Sequence, residues 1–582
     1  MTSTTNWKPT ATKLTPSLDK ETGNLWACKI AMVLLLGMQF SLIFTRAINW
    51  DEFHFYGQVI QFSLGQLHSP LQTIHVHAFA WLTSIPGNYI DRIIVARIPM
   101  FACEIVTIAC ITMLARRFTH LTNALICALC YLSMGFVLQH GMSFRVDPLV
   151  TSCLMAALVI LARARWSWWV IAALAALIGL AGMITIKAVL FTPAFLGVGW
   201  MRWNDDGRDR TMTVQMILAG LGAVAVFALL YLWHNHSLTT GSFHVDESAT
   251  NNTAVARSAA GNPADTSHEA RKIMTRSTHD MFFLGVPPYL AMIVKAASLA
   301  PLLTGLIIIA PFVIARSRLA SAARLALVGL WLPVLTLAFY RNTAGYYYAF
   351  MLAPVCVACV PAIAWLSRRF GSWLIILVLL VTAFPVWLKD DREVLGNQRA
   401  VVTGVERMFP SPVSYFDHSG MISTFPKANG FMTPWGLERY RAEGVETYRR
   451  AMNAGPVPLL IDNDYMIHAV LENPEEKILL SRDAAALRDN YVRFWGPVLL
   501  AGKTIAPKTV GAHEFLVPGE YRVEGAALTL DDKTLKVGEI VQISRGAHEL
   551  ANQGSATARL IWNEIADEPD GIAPDGRLWI GY

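Results

Sequence analysis

Apolar residues gather in long runs up to about residue 388 and then cease to, and this change of pattern organises the chain. A bilayer core takes roughly 20 apolar residues per helix. Laid along the sequence, that length predicts about eleven transmembrane helices, near 26–46, 93–114, 121–139, 147–163, 167–184, 186–201, 212–234, 297–315, 323–340, 346–366 and 371–388. Residues 47–92 are too polar to span. Phe53, Tyr56, Val59, Ile60 and Leu64 recur there at helical spacing, and Leu71, Ile74, Ala78 and Leu82 form a second apolar face opened by Ser69-Pro70. Two amphipathic helices lying on the membrane surface are expected. After Lys389-Asp390-Asp391-Arg392 the pattern is that of a soluble chain. Strand-like runs at 413–416 and 458–461 mix with polar helices at 435–452 and 482–492. From about residue 512, short alternating runs separated by Pro518-Gly519 and Asp531-Asp532 read as β-sandwich strands.

The expected fold class is a polytopic α-helical membrane protein with a C-terminal soluble α/β plus β-sandwich domain. Its divisions are a cytoplasmic segment at 1–25, a transmembrane domain at 26–388 with large far-side loops at 47–92 and 235–296, and a far-side domain at 389–582. Within the last, 389–505 is the α/β part and 506–582 the β-sandwich part.

Composition sharpens this. Of 582 residues, 54% are hydrophobic and 15% charged, against about a quarter charged in a soluble chain, which excludes an ordinary cytosolic protein and a disordered one. The net charge of +6 would suggest nucleic acid in a soluble protein. Here the cations explain topology instead. Lys8, Lys13 and Lys20 precede the first span, and alternate loops carry Arg116-Arg117, Arg163/Arg165, Arg202/Arg208/Arg210, Arg316/Arg318/Arg324 and Arg368-Arg369. An odd number of spans then puts the tail on the far side with residues 47–92, 140–148, 235–296 and 341–345. The first span reads as a retained anchor, because Arg46-Ala47 leads straight to Trp50 with no A-x-A site. All eight cysteines lie in or beside apolar runs. The CxxC pairs Cys127/Cys130 and Cys356/Cys359 lack partner histidines and read as packing residues.

Trp50-Asp51-Glu52-Phe53-His54 through His68-Ser69-Pro70-Leu71 follows the first span, and the sequence continues with Arg97-Ile98-Pro99, Phe144-Arg145-Val146-Asp147-Pro148-Leu149, Thr185-Ile186-Lys187-Ala188, and Arg341 before Tyr346-Tyr347-Tyr348. In this order the motifs resemble GT-C-fold glycosyltransferases, most of all protein O-mannosyltransferases and the bacterial aminoarabinose transferases of lipid A, over residues 26–388. The chain departs from that pattern beside the His-x-Pro turn and after Lys187, where a Gly-Pro often follows in the family. The resemblance implies transfer of a sugar from a polyprenyl-phosphate carrier to a lipid, glycan or protein acceptor outside the cytoplasm, by direct inverting displacement.

Such chemistry needs a carboxylate near the acceptor oxygen, for which Asp51 is the candidate and Glu52 the alternate. Two acids opening a helix can equally serve the macrodipole. The leaving phosphate needs fixed cations or hydroxyl donors: Lys187, Arg341, Tyr347 and Arg145. Taken singly, each of these also reads as an anchor of a span end. His54, His68, Asp147 and Tyr346 are expected to bind substrate, with Asp147 equally able to pair Arg145. Glu104, inside the second span, reads as a packing residue. No obligatory metal or cofactor is expected, since His75 and His77, two apart on a helix, point in different directions. The loop at 235–296 reads as a lid or as an ordinary surface loop. Trp435, Trp495 and Trp562 read as core aromatics rather than sugar platforms, and the tail as acceptor recognition or scaffolding. The rival functions are a transporter or flippase of lipid-linked sugars, which would favour internal repeats and broken helices at the midplane, and a non-catalytic sugar-binding membrane module. The expected location is a bacterial inner membrane with a periplasmic tail, and nucleic acid is not an expected partner.

Overall fold

The computed structural model describes residues 18–240, 282, 286–287, 289–429, 434–569 and 573–580. The expected N-terminal segment before Leu18, most of the loop at 235–296 and the side chain of Trp435 lie outside the described residues.

Every apolar run begins or becomes a helix. In chain order the helices are α1 (Leu18–Thr45), α2 (Trp50–Ser63), α3 (His75–Phe79), α4 (Tyr89–Ala115), α5 (Leu121–Leu132), α6 (Gly135–His140), α7 (Val146–Arg163), α8 (Trp168–Ile184), α9 (Thr192–Asp205) and α10 (Arg210–Thr240). There follow α11 (Leu290–Leu299), α12 (Pro301–Arg316), α13 (Ser321–Trp331), α14 (Tyr347–Ala358), α15 (Val360–Phe370), α16 (Ser372–Leu388) and α17 (Glu393–Met408). Fewer than eleven reach full length. Among the described residues six helices are long and apolar enough to cross a membrane, or up to eight if the bent pairs α11/α12 and α14/α15 each count as one span. Those pairs bend by 105° and 65°, and α5 and α8 are apolar but shorter. For α5 the physical reason is cover: it is buried along nearly its whole length, and a helix enclosed by protein need not match the bilayer.

Close helix crossings rest on small residues. A Cβ added at Gly179 of α8 would come 2.7 Å from the Ala223 carbonyl of α10, and one at Gly329 of α13 would come 2.4 Å from the Pro193 carbonyl of α9. Without a hydrophobic drive between helices in lipid, such backbone contact is what holds them. The basic loops meet at one end of this bundle, where Arg163 donates to the Met113 carbonyl at 2.9 Å, Arg202 to the Ala164 carbonyl at 3.2 Å, and Arg117 pairs with Asp205.

At the other end lies residues 47–92. The first expected surface helix is α2. The second is shorter than its pattern predicts: Ser69-Pro70 opens a non-helical stretch containing Gln72 at φ 63°, and only α3 and a 3-10 turn, Ala80–Ser84, follow. The cysteines are free, and both CxxC pairs are buried.

The tail opens with α17 and builds two sheets. A seven-stranded sheet runs β1 (Tyr415–Phe416), β2 (Leu459–Ile461), β4 (Val498–Ile505), β11 (Ala558–Trp562), β6 (Gly519–Glu524), β9 (Ile540–Ile543), with β3 (Tyr491–Trp495) also on β4. A four-stranded sheet holds β5 (Thr509–Phe515), β10 (Gly546–Asn552), β7 (Leu528–Leu530) and β8 (Lys533–Leu535). The larger sheet crosses residue 505, because β4 pairs with both β2 and β11. Trp562 is 5% exposed and packs edge-on against Tyr521, and Trp495 packs against Gly404 of α17. The helix expected over 435–452 breaks at Gly444, whose φ of 65° no helix accommodates.

The tail is fastened to the membrane helices beside the first loop. The Gln398 amide accepts from the Ile48 amide at 2.8 Å and donates to the carbonyls of Ile48 and Leu578 at 2.8 and 2.9 Å. Arg46, at the end of α1, forms a buried pair with Asp390.

Candidate active site

The start of α2 fixes the geometry. Asn49 caps the helix, accepting from the Glu52 amide at 3.1 Å while Glu52 accepts from the Asn49 amide at 3.1 Å. This reciprocal capping box satisfies two helix-end donors and sends the two adjacent acids in different directions.

Glu52 turns inward and is fully buried. Arg97 of α4 grips it with a two-pronged contact, Nε to Oε1 at 2.7 Å and Nη2 to Oε2 at 2.6 Å, and the Phe144 amide donates to Oε1 at 2.8 Å. The remaining Arg97 protons go to the carbonyls of Ile43, Arg46 and Ala47 at 3.1, 2.8 and 3.0 Å, closing the end of α1. This corrects the expectation for Glu52. Both its oxygens are held by donors in a dry site, so it joins α1, α2, α4 and the loop before α7 and has no lone pair open to a substrate proton.

Asp51 faces the other way, toward the loop carrying Arg145. Arg145 pairs with Asp51, and its Nε donates to Asp147 Oδ2 at 3.2 Å. Asp147 in turn pairs with Lys187, from the 3-10 turn after α8. Tyr346 forms the floor: the Arg145 guanidinium lies 3.3 Å from its ring centroid, and Lys187 Nζ 6.0 Å. Its hydroxyl donates to Asn342 at 2.5 Å. The result is an alternating chain of acid and base, Asp51, Arg145, Asp147, Lys187, from three separate stretches of sequence, with all four residues buried. Buried charges persist only when paired in this way.

Other expected residues stand elsewhere. Tyr347 is fully buried and its hydroxyl donates to Thr336 at 2.6 Å, so it packs among Tyr340 and Phe350 and is not presented to a phosphate. Arg341 reaches the tail and pairs with Glu438 at 2.6 Å. His54 is exposed and meets Gln58 at 3.1 Å, and His68 is exposed. His75 approaches the Phe55 carbonyl at 3.5 Å, and burial pushes its imidazole down to about 3. His77 meets His234 of α10 at 2.8 Å. Among the described residues no cluster of three or more His, Cys, Asp or Glu is arranged to hold a metal ion.

Two features were missed by sequence reasoning. One is Arg97 as the partner of Glu52; an Arg inside an apolar run, which must be paired, was the available signal. The other is the support behind the Arg145 loop. Glu104 packs there at 3.1 Å from the Tyr131 hydroxyl, and a Cβ added at Gly141 would fall 2.4 Å from Glu104 Oε1 and 2.8 Å from Gln39 Nε2. Gly141→Ala is therefore expected to push the loop bearing Arg145 out of place. The expected outcome is a loss of about 1–3 kcal/mol in stability, checked by thermal unfolding of the variant beside the wild type.

A cavity of about 700 Å³ opens between α8, α9 and α10. Its walls are almost wholly apolar and include Ala188 and Val189, the two residues after Lys187, and Trp200 and Trp203 nearer the basic-loop end.

A sequence profile of the family described as dolichyl-phosphate-mannose-protein mannosyltransferase matches residues 75–233. No curated protein matches the chain by sequence. Among solved structures, ArnT from Cupriavidus metallidurans in the apo state is similar with a TM-score of 0.51 and 12% identity, over 83% of this chain and 98% of that one. The Archaeoglobus fulgidus oligosaccharyltransferase tethered with an acceptor peptide containing the NVT sequon is similar with a TM-score of 0.51 and 10% identity, over 92% of this chain and 95% of that one. ArnT bound to undecaprenyl phosphate matches at 0.49 with 12% identity, over 81% and 97% of the two chains. At such identities the likeness is one of fold, and the chain has the GT-C fold.

Proposed function

We propose that the chain is a membrane glycosyltransferase that moves a sugar from a polyprenyl-phosphate carrier to an acceptor at the membrane surface, on the periplasmic side of a bacterial inner membrane. The observation that carries this reading is the alternating chain from Asp51 to Lys187 beside an apolar cavity. A lipid phosphate has a charged head and a long apolar tail. Lys187 and Arg145 supply cations for the head, and the cavity that begins at Ala188 and Val189 offers the tail a wall. The fold and the family match over residues 75–233 support the same class.

Without donor, the two cations are neutralised by Asp51 and Asp147. A donor phosphate competes for Arg145 and Lys187, and each contact it takes weakens the hold on a carboxylate. Donor binding thereby releases Asp51 from Arg145 and prepares it to accept a proton. The acceptor hydroxyl attacks the anomeric carbon, its proton passes to Asp51, and the bond from that carbon to the phosphate oxygen breaks with its electron pair staying on the phosphate. A single displacement inverts the anomeric centre. The charge developing on the departing phosphate meets Lys187 and Arg145 already in position. If the acceptor is itself an ionised phosphate, Asp51 orients it and takes no proton. Arg341, held in its ion pair with Glu438, takes no part in this step.

The test is to incubate purified protein in lipid nanodiscs with a panel of polyprenyl-phosphate sugars and envelope-derived acceptors. Release of polyprenyl phosphate with transfer of labelled sugar is expected for one donor. No release from any donor, by protein that remains folded, would sink the reading.

A further inference from the structure

Two cavities on the tail meet at a shared aromatic wall. The inner one, of about 220 Å³, ends against Asn49 and Trp50, the residues immediately before Asp51. The outer one, of about 600 Å³, lies between the start of α18 (Tyr465–Glu472), the turn at Gly496-Pro497 and the segment 574–579. Tyr465 and Trp579 line both. Tyr465 is 62% exposed, so its ring is open to a ligand in either cavity.

The outer cavity also carries a polar group prepared for a ligand. Asp462 is 4% exposed, and its Oδ2 receives His468 Nδ1 at 2.9 Å and Arg493 Nη2 at 3.1 Å. Its Oδ1 is buried with no hydrogen-bond partner. An acceptor oxygen left bare in a buried carboxylate costs free energy unless something donates to it. The His468 ring stands 6.0 Å from the Trp579 ring.

From this combination we infer that the two cavities form one acceptor groove, and that its ligand is a neutral glycan whose end reaches Asp51. The inference rests on the transferase reading above and names the acceptor class. Flat aromatic faces take the C–H faces of sugar rings, while hydroxyl groups donate to carboxylates and accept from Arg and His. Charge argues against an anionic ligand: Arg493 and Arg577 are offset by Asp462 and Asp575 in the outer cavity, and in the inner one Arg46 is already paired with Asp390 while Asp464 adds a further acid. A phosphorylated lipid headgroup would call for an excess of cations. At the inner end Trp50 faces His418 across 6.2 Å, and the chain then turns into the helix that presents Asp51.

The test uses the full-length protein in nanodiscs, titrated with neutral oligosaccharides of glucan, mannan and galactan type and followed by calorimetry and tryptophan fluorescence. At least one oligosaccharide is expected to bind saturably, with binding weakened at least about tenfold, or 1.4 kcal/mol, by Tyr465→Ala and by Asp462→Asn. Tyr465 is exposed, so its variant keeps the proposal testable if the Asp462 variant misfolds. Arg482→Ala, in a different cavity of the tail, is expected to change nothing. Absence of saturable binding, equal binding by wild type and Tyr465→Ala, or binding of unstructured peptides only would each overturn the inference. Donor turnover without such binding counts against the groove alone; binding without donor turnover counts against the transferase reading.

Discussion

Asp51→Asn is expected to lower sugar transfer to a hydroxyl acceptor by about 10²–10⁴-fold, the range for removing a positioned general base. The amide keeps the shape of the carboxylate but neither takes the proton nor neutralises Arg145. Freed of that partner, Arg145 is more available to phosphate, so donor affinity is expected to hold or rise while kcat falls. That split separates a catalytic role from a structural one, because a damaged fold would weaken donor binding as well. The measurement is single-turnover transfer alongside a donor-binding titration. Equal transfer by the variant and the wild type would remove Asp51 from the reaction.

The second large effect concerns stability. Arg97→Ala leaves Glu52 buried with its charge uncompensated and exposes the carbonyls of Ile43, Arg46 and Ala47 to a dry environment. Breaking a buried pair from one side costs about 3–5 kcal/mol, and the bare carbonyls add to this. The expected result is a sharply lowered unfolding temperature or loss of the folded protein from the membrane. Replacing both partners, as Glu52→Gln with Arg97→Met, is expected to recover part of that loss, since no lone charge then remains. A double variant no more stable than Arg97→Ala alone would contradict this account.

The two acids differ in consequence because they differ in direction, and that difference was only half legible in the sequence. Asn49 and Glu52 form a local pattern that a reader can recognise as a helix start, so the position of α2 follows from the chain itself. Which acid faces the site depends on Arg97, which belongs to another helix and enters only through packing. The same limit separates Tyr346 from Tyr347. Consecutive residues at the start of α14 are indistinguishable by type, yet one ring underlies Arg145 and the other is sealed against Thr336. Hydrophobic runs revealed where the helices lie, because each must be apolar to be there. They did not reveal how many reach full span length, since an enclosed helix and a lipid-facing one have similar compositions and only their neighbours differ. The short α3 has a similar origin: Leu71, Ile74, Ala78 and Leu82 keep a helical spacing although the backbone at Gln72 leaves the helical region. In the tail, Tyr465 and Asp462 carry no local motif, and their proximity to Trp579 arises from the fold alone.

The clasp made by Gln398 ties the soluble unit to the residue two places before the start of α2, and by the same amide to Leu578. The tail is thus not interchangeable cargo. A hybrid that exchanges it at residue 389 would part the clasp and unseat the entrance to the reaction centre, whereas a graft retaining 393–408 together with 573–580 would preserve the joint. Variation in acceptor preference among such proteins is therefore to be sought in loop substitutions on a fixed joint, not in wholesale replacement of the outer half.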